Sequence, residues 1–343
     1  SNELDDTLQP VENGTLQFVV GDFPAFGEDP QTRASSFGTP DEGKTAWANE
    51  DKILVHLYSQ KYGDQAVTLT FDAENNTWES DGGTLSYLEN ETPTITAVYA
   101  PDCEIKEGQI ALQDGKQYGE AEYILARTTI SENSLDINFE SGRTYSRLRI
   151  VAEAEQILTV TTTGFTPAGP ENVSAPDSYT LVADGKDNAY LYGTFAEGGS
   201  VTVKKGDAEL ATYTFSVTSE QGKSYALYAG KKVDVDLSTL AATYVINDDA
   251  YYTFTGTGSY GIKVESGNPT IILNNVSITV GKEWDNENIV NAIDIVADNS
   301  ETTVWITGTN NLTSNSGAGI YVKSGSTVII KSDSRDNILT AQA

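Results

Sequence analysis

The side chains that most often carry catalysis are nearly missing from this chain. Its 343 residues include one histidine, His56, and one cysteine, Cys103. His56 lies in KILVHLYSQ between Val55 and Leu57, where strand alternation makes it a structural side chain. With one cysteine, no intramolecular disulfide or cysteine-built metal cluster can form. Ser/His/Asp and Cys/His nucleophile systems and histidine zinc sites therefore drop out. Carboxylates are plentiful, and two groups of them could do chemistry. Glu283, Asp285 and Glu287 share one loop and could staple it through calcium; otherwise they are solvated charges. Asp294, Asp298 and Glu301 fall together, as calcium-assisted proton abstraction from a sugar would need. The residues stacked on Asp294 are Lys263 and Tyr321, however, so no carboxylate ladder forms. The chain is expected to be no enzyme and to need no cofactor. What remains is recognition. Trp284, Trp305 and Tyr321 are the candidate glycan-binding residues, because a flat ring matches the C–H face of a pyranose and nearby Asn, Asp and Lys can hold its hydroxyls. The competing reading packs each ring into the protein.

Positioning such rings falls to strands. Few stretches sustain a helical apolar period, whereas alternating runs such as TLQFVV, DKILVHLY, AVTLTF, TITAVYA and SLDINF recur. Turns such as AENNT, SDGG and LQDGK supply the positive φ angles between them. The fold class is all-β. A net charge of −29 repels phosphate backbones, so nucleic acid is not a partner. No apolar run reaches the ~20 residues of a membrane helix.

Near the C-terminus a phrase repeats: YGIKVESGNPTIIL, NAIDIVADNSETTVWI and GAGIYVKSGSTVII. Ile262, Ile293 and Ile320 are equivalent, 31 and then 27 residues apart, the longer interval holding the insertion GKEWDNENIVN. Repeats of this length make a solenoid. Alternation turns Ile262 with Val264, Ile293 with Ile295 and Ile320 with Val322 inward, and leaves Lys263, Asp294 and Tyr321 outward. In the second strand of each unit Ile271 with Leu273, Val304 with Ile306 and Val328 with Ile330 are expected inward. Ile272, Trp305 and Ile329 would then form an outward apolar stripe that is either packed or held for a partner. Asn274, Asn275, Asn310, Asn311 and Asn337 follow at a corner where asparagine tolerates left-handed backbone. The expected unit is a coil of a short right-handed parallel β-helix over residues 237–343. Ahead of it, residues 1–14 read as an acidic tether, 15–155 as one β-sandwich and 156–236 as a second.

GTLQFVV, QTRASSFGTPDEGKTAWANEDKILVHLY, TITAVYAPD, and AEYILARTTI followed by LDINFESGRTYSRLRIVAE together resemble the fimbrillin family of Gram-negative surface lipoproteins, over about residues 15–155. GKSYALYAG, residues 222–230, agrees with a second fimbrillin-type sandwich, and the C-terminal repeat resembles β-helical carbohydrate-binding modules of secreted bacterial proteins. The resemblance departs at Glu140, where a histidine is common. It implies a cell-surface protein, in a fimbria or anchored to the outer membrane by a lipid-modified cysteine preceding Ser1. The implied partners are other fimbrial subunits, joined by donor-strand exchange, and host or microbial glycans or surface proteins. It also implies protease processing after an arginine early in the first domain, and Arg33 is the matching position; the alternative is an uncut chain. The expectation is a fimbrial accessory or tip subunit acting as an adhesin, or else a surface lipoprotein that binds carbohydrate through the β-helix without polymerising.

Overall fold

Alternation of apolar and polar side chains is realised as strands almost throughout the computed structural model, which describes residues 16–26, 44–83, 85–139, 142–185, 187–282, 287–332 and 335–343. The tether 1–14 and Arg33, Glu140, Glu283, Trp284 and Asp285 lie outside the described residues. Among those described, the helical content is one 3-10 turn, Leu237–Thr239, and no helix is long and apolar enough to cross a membrane. The fold is all-β, and the chain divides into two compact units, one ending at Tyr225 and one beginning at Ala226.

In the first unit Lys52–Ser59 sits at the centre of a five-stranded antiparallel sheet, with Gly63–Asp72 and Thr77–Ser80 on one side and Thr94–Tyr99 and Ile124–Leu125 on the other. Gln17–Val20 runs parallel to Ser134–Asn138, which pairs antiparallel with Arg127–Ser131. The two sheets share a core: Ile53, Val55, Leu57, Val67 and Leu69 from one meet Leu135 and Ile137 from the other. Each set occupies alternate positions, as period-two burial requires. A third sheet is built on the long strand Asn188–Lys205, flanked by Ile157–Pro167, Ser146–Val151 and Ala208–Thr214. The expected division at 155/156 therefore does not separate the sheets, because Ser146–Val151 pairs residue by residue with Gly193–Asn188. Sheet membership is decided by a partner some forty residues away, which composition at the boundary cannot reveal.

The second unit is a stack of parallel coils. Tyr244–Ile246, Ile262–Val264, Ile293–Ile295 and Ile320–Val322 form one sheet, each strand parallel to the next. Lys232–Asp236, Tyr251–Thr255, Thr270–Asn274, Glu301–Thr307 and Thr327–Lys331 form a second face. Ser277–Val280, Thr309–Ser314 and Ile338–Gln342 make a third. Every expected partner in the first sheet is realised: Ile262 with Ile293 and Ile320, and Val264 with Ile295 and Val322. Two boundaries move. Lys232–Asp236, placed before 237 by the sequence reading, pairs with Tyr251–Thr255 and belongs to the stack, and Tyr244–Ile246 opens a coil that precedes the recognisable repeats. The last coil also differs in register. Val304 pairs with Ile330 and Trp305 with Lys331, so Val328 lies beside Thr302 and Ile329 beside Thr303.

Rows of aliphatic side chains fill the stack: Ile246, Val264 and Ile295 on one wall, Ile271 and Val304 on the next, all at 0% exposure. The corner after the second face is tied by asparagine. The Asn310 side chain, fully buried, accepts from Val276 N–H at 2.9 Å and donates to Thr307 O at 3.0 Å. Asn275 (φ 52°) accepts from Thr309 N–H, and Asn337 accepts from Gly308 N–H. Gly308 itself has φ +70°, and a Cβ there would lie 1.9 Å from the Asn275 Oδ1 atom. The corner admits only glycine for both reasons.

Candidate functional site

A three-residue strand with two side chains inward presents one outward, so the first sheet of the stack displays a single row: Val245, Lys263, Asp294, Tyr321. Neighbouring strands are about 4.8 Å apart, which spaces the row like the rungs of a flat ladder. Val245 and Tyr321 are 43% and 44% exposed. Lys263 is partly engaged by Glu265 at 3.3 Å. The Asp294 Oδ1 atom accepts from the Asn291 side-chain amide at 3.1 Å, while the Asn291 Oδ1 atom accepts from Ala318 N–H at 2.7 Å in the next coil. The carboxylate is thus oriented by a residue that also ties two coils together. The row offers an exposed ring, a fixed acceptor and a cationic donor on one plane.

Trp305 is placed differently. It projects outward from the second face, in the row Thr253, Ile272, Trp305, Lys331. Thr253 and Ile272 are buried in this row, and Trp305 is half-buried. The Lys331 ammonium sits 5.8 Å from the Trp305 ring centroid, a cation–π contact. The expected stripe is therefore covered at Ile272 and ends in a lysine rather than Ile329. Tyr321 and Trp305 belong to different sheets of the coil and are not brought together. Trp284, the third aromatic, is outside the described residues.

The Glu283, Asp285 and Glu287 group falls partly outside the described residues. Among the described residues, no three His, Cys, Asp or Glu side chains gather in a way that could hold a metal. Glu287 is exposed, Asp298 pairs with Lys323, and Glu301 uses its backbone N–H to bond Asn268. His56 bonds Asp64 across the strand pair at 2.9 Å. Cys103 is buried beside Leu54, Val98 and Ala100, and burial pushes its thiol up to about 11.

One polar cluster went unread in the sequence. Arg143, Arg147 and Arg149 are all buried. The Arg143 Nε atom donates to the Glu122 carboxylate at 2.8 Å, its Nη1 donates to Pro24 O, and its guanidinium lies 3.6 Å from the Phe26 ring centroid. The Tyr145 hydroxyl donates to the same carboxylate at 2.9 Å and accepts from Tyr123 N–H. Burial raises the Glu122 carboxyl despite the opposing pull of Arg143. Arg147 stands over Phe26 and Tyr190. The signal was present in GRTYSRLRIV: alternate arginines in a chain of net charge −29 demand specific partners. The cluster pins Leu16–Phe26 to the first unit, and the Trp47 Nε1 bond to Gly21 O adds a second tie.

Comparison with protein-family models, with curated proteins and with solved structures found no match to this chain.

Proposed function

We propose that the chain is a non-catalytic cell-surface protein of fimbrial type, an accessory or tip subunit, in which the coil stack recognises glycan. The observation that carries this reading is the outward row Lys263–Asp294–Tyr321 on a parallel sheet, with Tyr321 exposed and Lys263 and Asp294 half-buried. A pyranose laid along it would stack its C–H face on Tyr321 and direct hydroxyls to Asp294 and Lys263. Tyr321 is favoured over Trp305 because the Trp305 ring is half-buried and faces Lys331. The test is a glycan array probed with the full chain, comparing Tyr321→Ala and Trp305→Ala. Binding lost in the first and kept in the second supports the row. Binding lost only with Trp305→Ala, or no binding by folded protein, removes it.

Assembly by donor-strand exchange is the second part of the proposal, with the outer membrane as the site of attachment through a lipid anchor. Gln17–Val20 already fills one strand position beside Ser134–Asn138 and is held at Gly21 and Pro24. An incoming strand would have to replace it. That arrangement favours the non-polymerising alternative for an uncut chain, and processing at Arg33 would reverse it. Treatment with an arginine-specific protease, with Arg33→Ala as control, should convert monomer to oligomer only in the cleavable protein. Unchanged size after complete cleavage leaves the surface lipoprotein as the better reading.

A further inference from the structure

The first unit contains a cavity of about 550 Å³, within the range of small-molecule sites. It opens where one strand changes sheets: Ile124 and Leu125 pair with Tyr99 and Val98, while Arg127 and the residues after it pair with Ser134–Asn138. Ile124, Tyr145 and Ala168 back it at 1%, 4% and 4% exposure, and Leu125, 52% exposed, is its accessible apolar side chain. The opposite wall is the proline-bearing loop 166–173, held independently of any ligand. Ala168 N–H donates to Tyr192 O at 2.9 Å, and Gly169 abuts Tyr118 so closely that a Cβ would lie 3.1 Å from that ring. The rim is polar and exposed: Thr144, Thr166 and Asn172, with Arg127 and Glu171 cancelling in charge.

Two features select the ligand class. The rim is neutral on balance in a chain of net charge −29, so neither an anion nor a cation is favoured. Strand addition is also poorly served. Ala126 N–H donates to Ala97 O, which turns the peptide groups of Ile124 and Ala126 toward Thr94–Tyr99 and leaves those of Leu125 on the opposite edge. From Arg127 onward the next partner strand occupies the edge. One residue cannot propagate a ladder, so an extended peptide would find a single pair of backbone bonds. We infer that this cavity binds a small neutral saccharide, its apolar face on Leu125, its hydroxyls bonded to Thr144, Thr166, Asn172 and the Leu125 backbone. This site is separate from the Tyr321 row and stands whether or not that row binds glycan.

The test is saturation-transfer NMR on the full chain with glucose, galactose, mannose, N-acetylglucosamine and lactose. Thr144→Trp fills the mouth from an exposed position. Asn172→Gly removes the amide while tolerating the φ of +63° found there. In the Tyr321→Ala background, which silences the row, the expected result is transfer from at least one sugar, abolished by adding Thr144→Trp and weakened about tenfold by adding Asn172→Gly. Silence from the folded Tyr321→Ala protein across the panel overturns the inference, as does transfer in that background that survives the added Thr144→Trp. Amide shifts at Leu125 produced by an extended peptide and by none of the sugars would overturn the saccharide assignment.

Discussion

The two units bury apolar surface by opposite means. In the first, partners come from distant parts of the chain, and the core mixes charge with rings. Trp47 alone meets Phe23, Trp78, Tyr99 and Phe139 edge-on, and Arg143 is enclosed between Glu122 and Phe26. In the second, each coil touches its neighbours and aliphatic rows repeat, with asparagine side chains tying the corners. A core of unlike pieces depends on each contact being made correctly. A stack depends on position, because a central coil is covered on both sides and a terminal coil on one.

The largest effect should come from breaking the charged part of the first unit. Arg143→Met leaves the Glu122 carboxylate buried without its ionic partner and releases Pro24 O, and the expected loss is about 3–5 kcal/mol. Its pH dependence follows from the direction of the shift. With Arg143 gone, burial alone raises the folded-state carboxyl further above its unfolded value. The folded variant then holds a proton that the unfolded chain releases, so its stability falls as pH rises through that interval and recovers below it. Urea unfolding at about pH 5 and pH 8 should show the gap to wild type narrowing at the lower value. A gap that widens on acidification would show that Glu122 gains its stabilisation elsewhere.

The stack should instead answer according to coil. Leu273 is fully buried in a central row, and Leu273→Ala should cost about 2–5 kcal/mol. Ile330 faces the same interior but is 50% exposed in the last coil, so Ile330→Ala should cost about 1 kcal/mol or less. Equal losses at the two positions would mean that the last coil is covered in solution. Between the two falls the corner: Asn310→Ala leaves Val276 N–H without its acceptor, with an expected loss of about 1–3 kcal/mol. Hydrogen exchange should then speed at Val276 and in the adjoining coils and not around Lys52–Ser59.

How legible each unit was from sequence follows the same contrast. Ile262, Ile293 and Ile320 stack as alternation requires, because a phrase that recurs carries its own register. The register of Thr327–Lys331 was misread for a physical reason. A slip of two residues keeps every side chain on its face, so the pattern alone cannot separate Val304 beside Val328 from Val304 beside Ile330. The coil at Tyr244–Ile246 was missed because its inner wall uses Tyr252 and Phe254 where later coils use aliphatic residues. In the first unit the strands were readable and their partners were not. Nothing local tells Ser146–Val151 that it belongs beside Asn188–Gly193, or Arg143 that Glu122 awaits it. Of the candidate recognition residues, Tyr321 was readable as outward. That Trp305 lies half-buried beneath a lysine depended on the two-residue slip, which put Lys331 where Ile329 was expected.

Cys103 gives the least perturbing probe of the difference between the units, since it needs no substitution. It lies in a small cluster on the outer side of the five-stranded sheet, and its thiol is held protonated by burial, up to about 11. The thiolate is the reactive form, so at neutral pH both access and ionisation oppose alkylation. Labelling by iodoacetamide should therefore be slow in the native chain and should follow opening of the first unit. Arg143→Met should accelerate it, because opening becomes easier where the sheet is held. Leu273→Ala should leave it unchanged if the stack loosens coil by coil without disturbing the first unit. Acceleration by both would make the two units one cooperative structure, and the contrast between a jigsaw core and a stacked one would then describe how each is built but not how each unfolds.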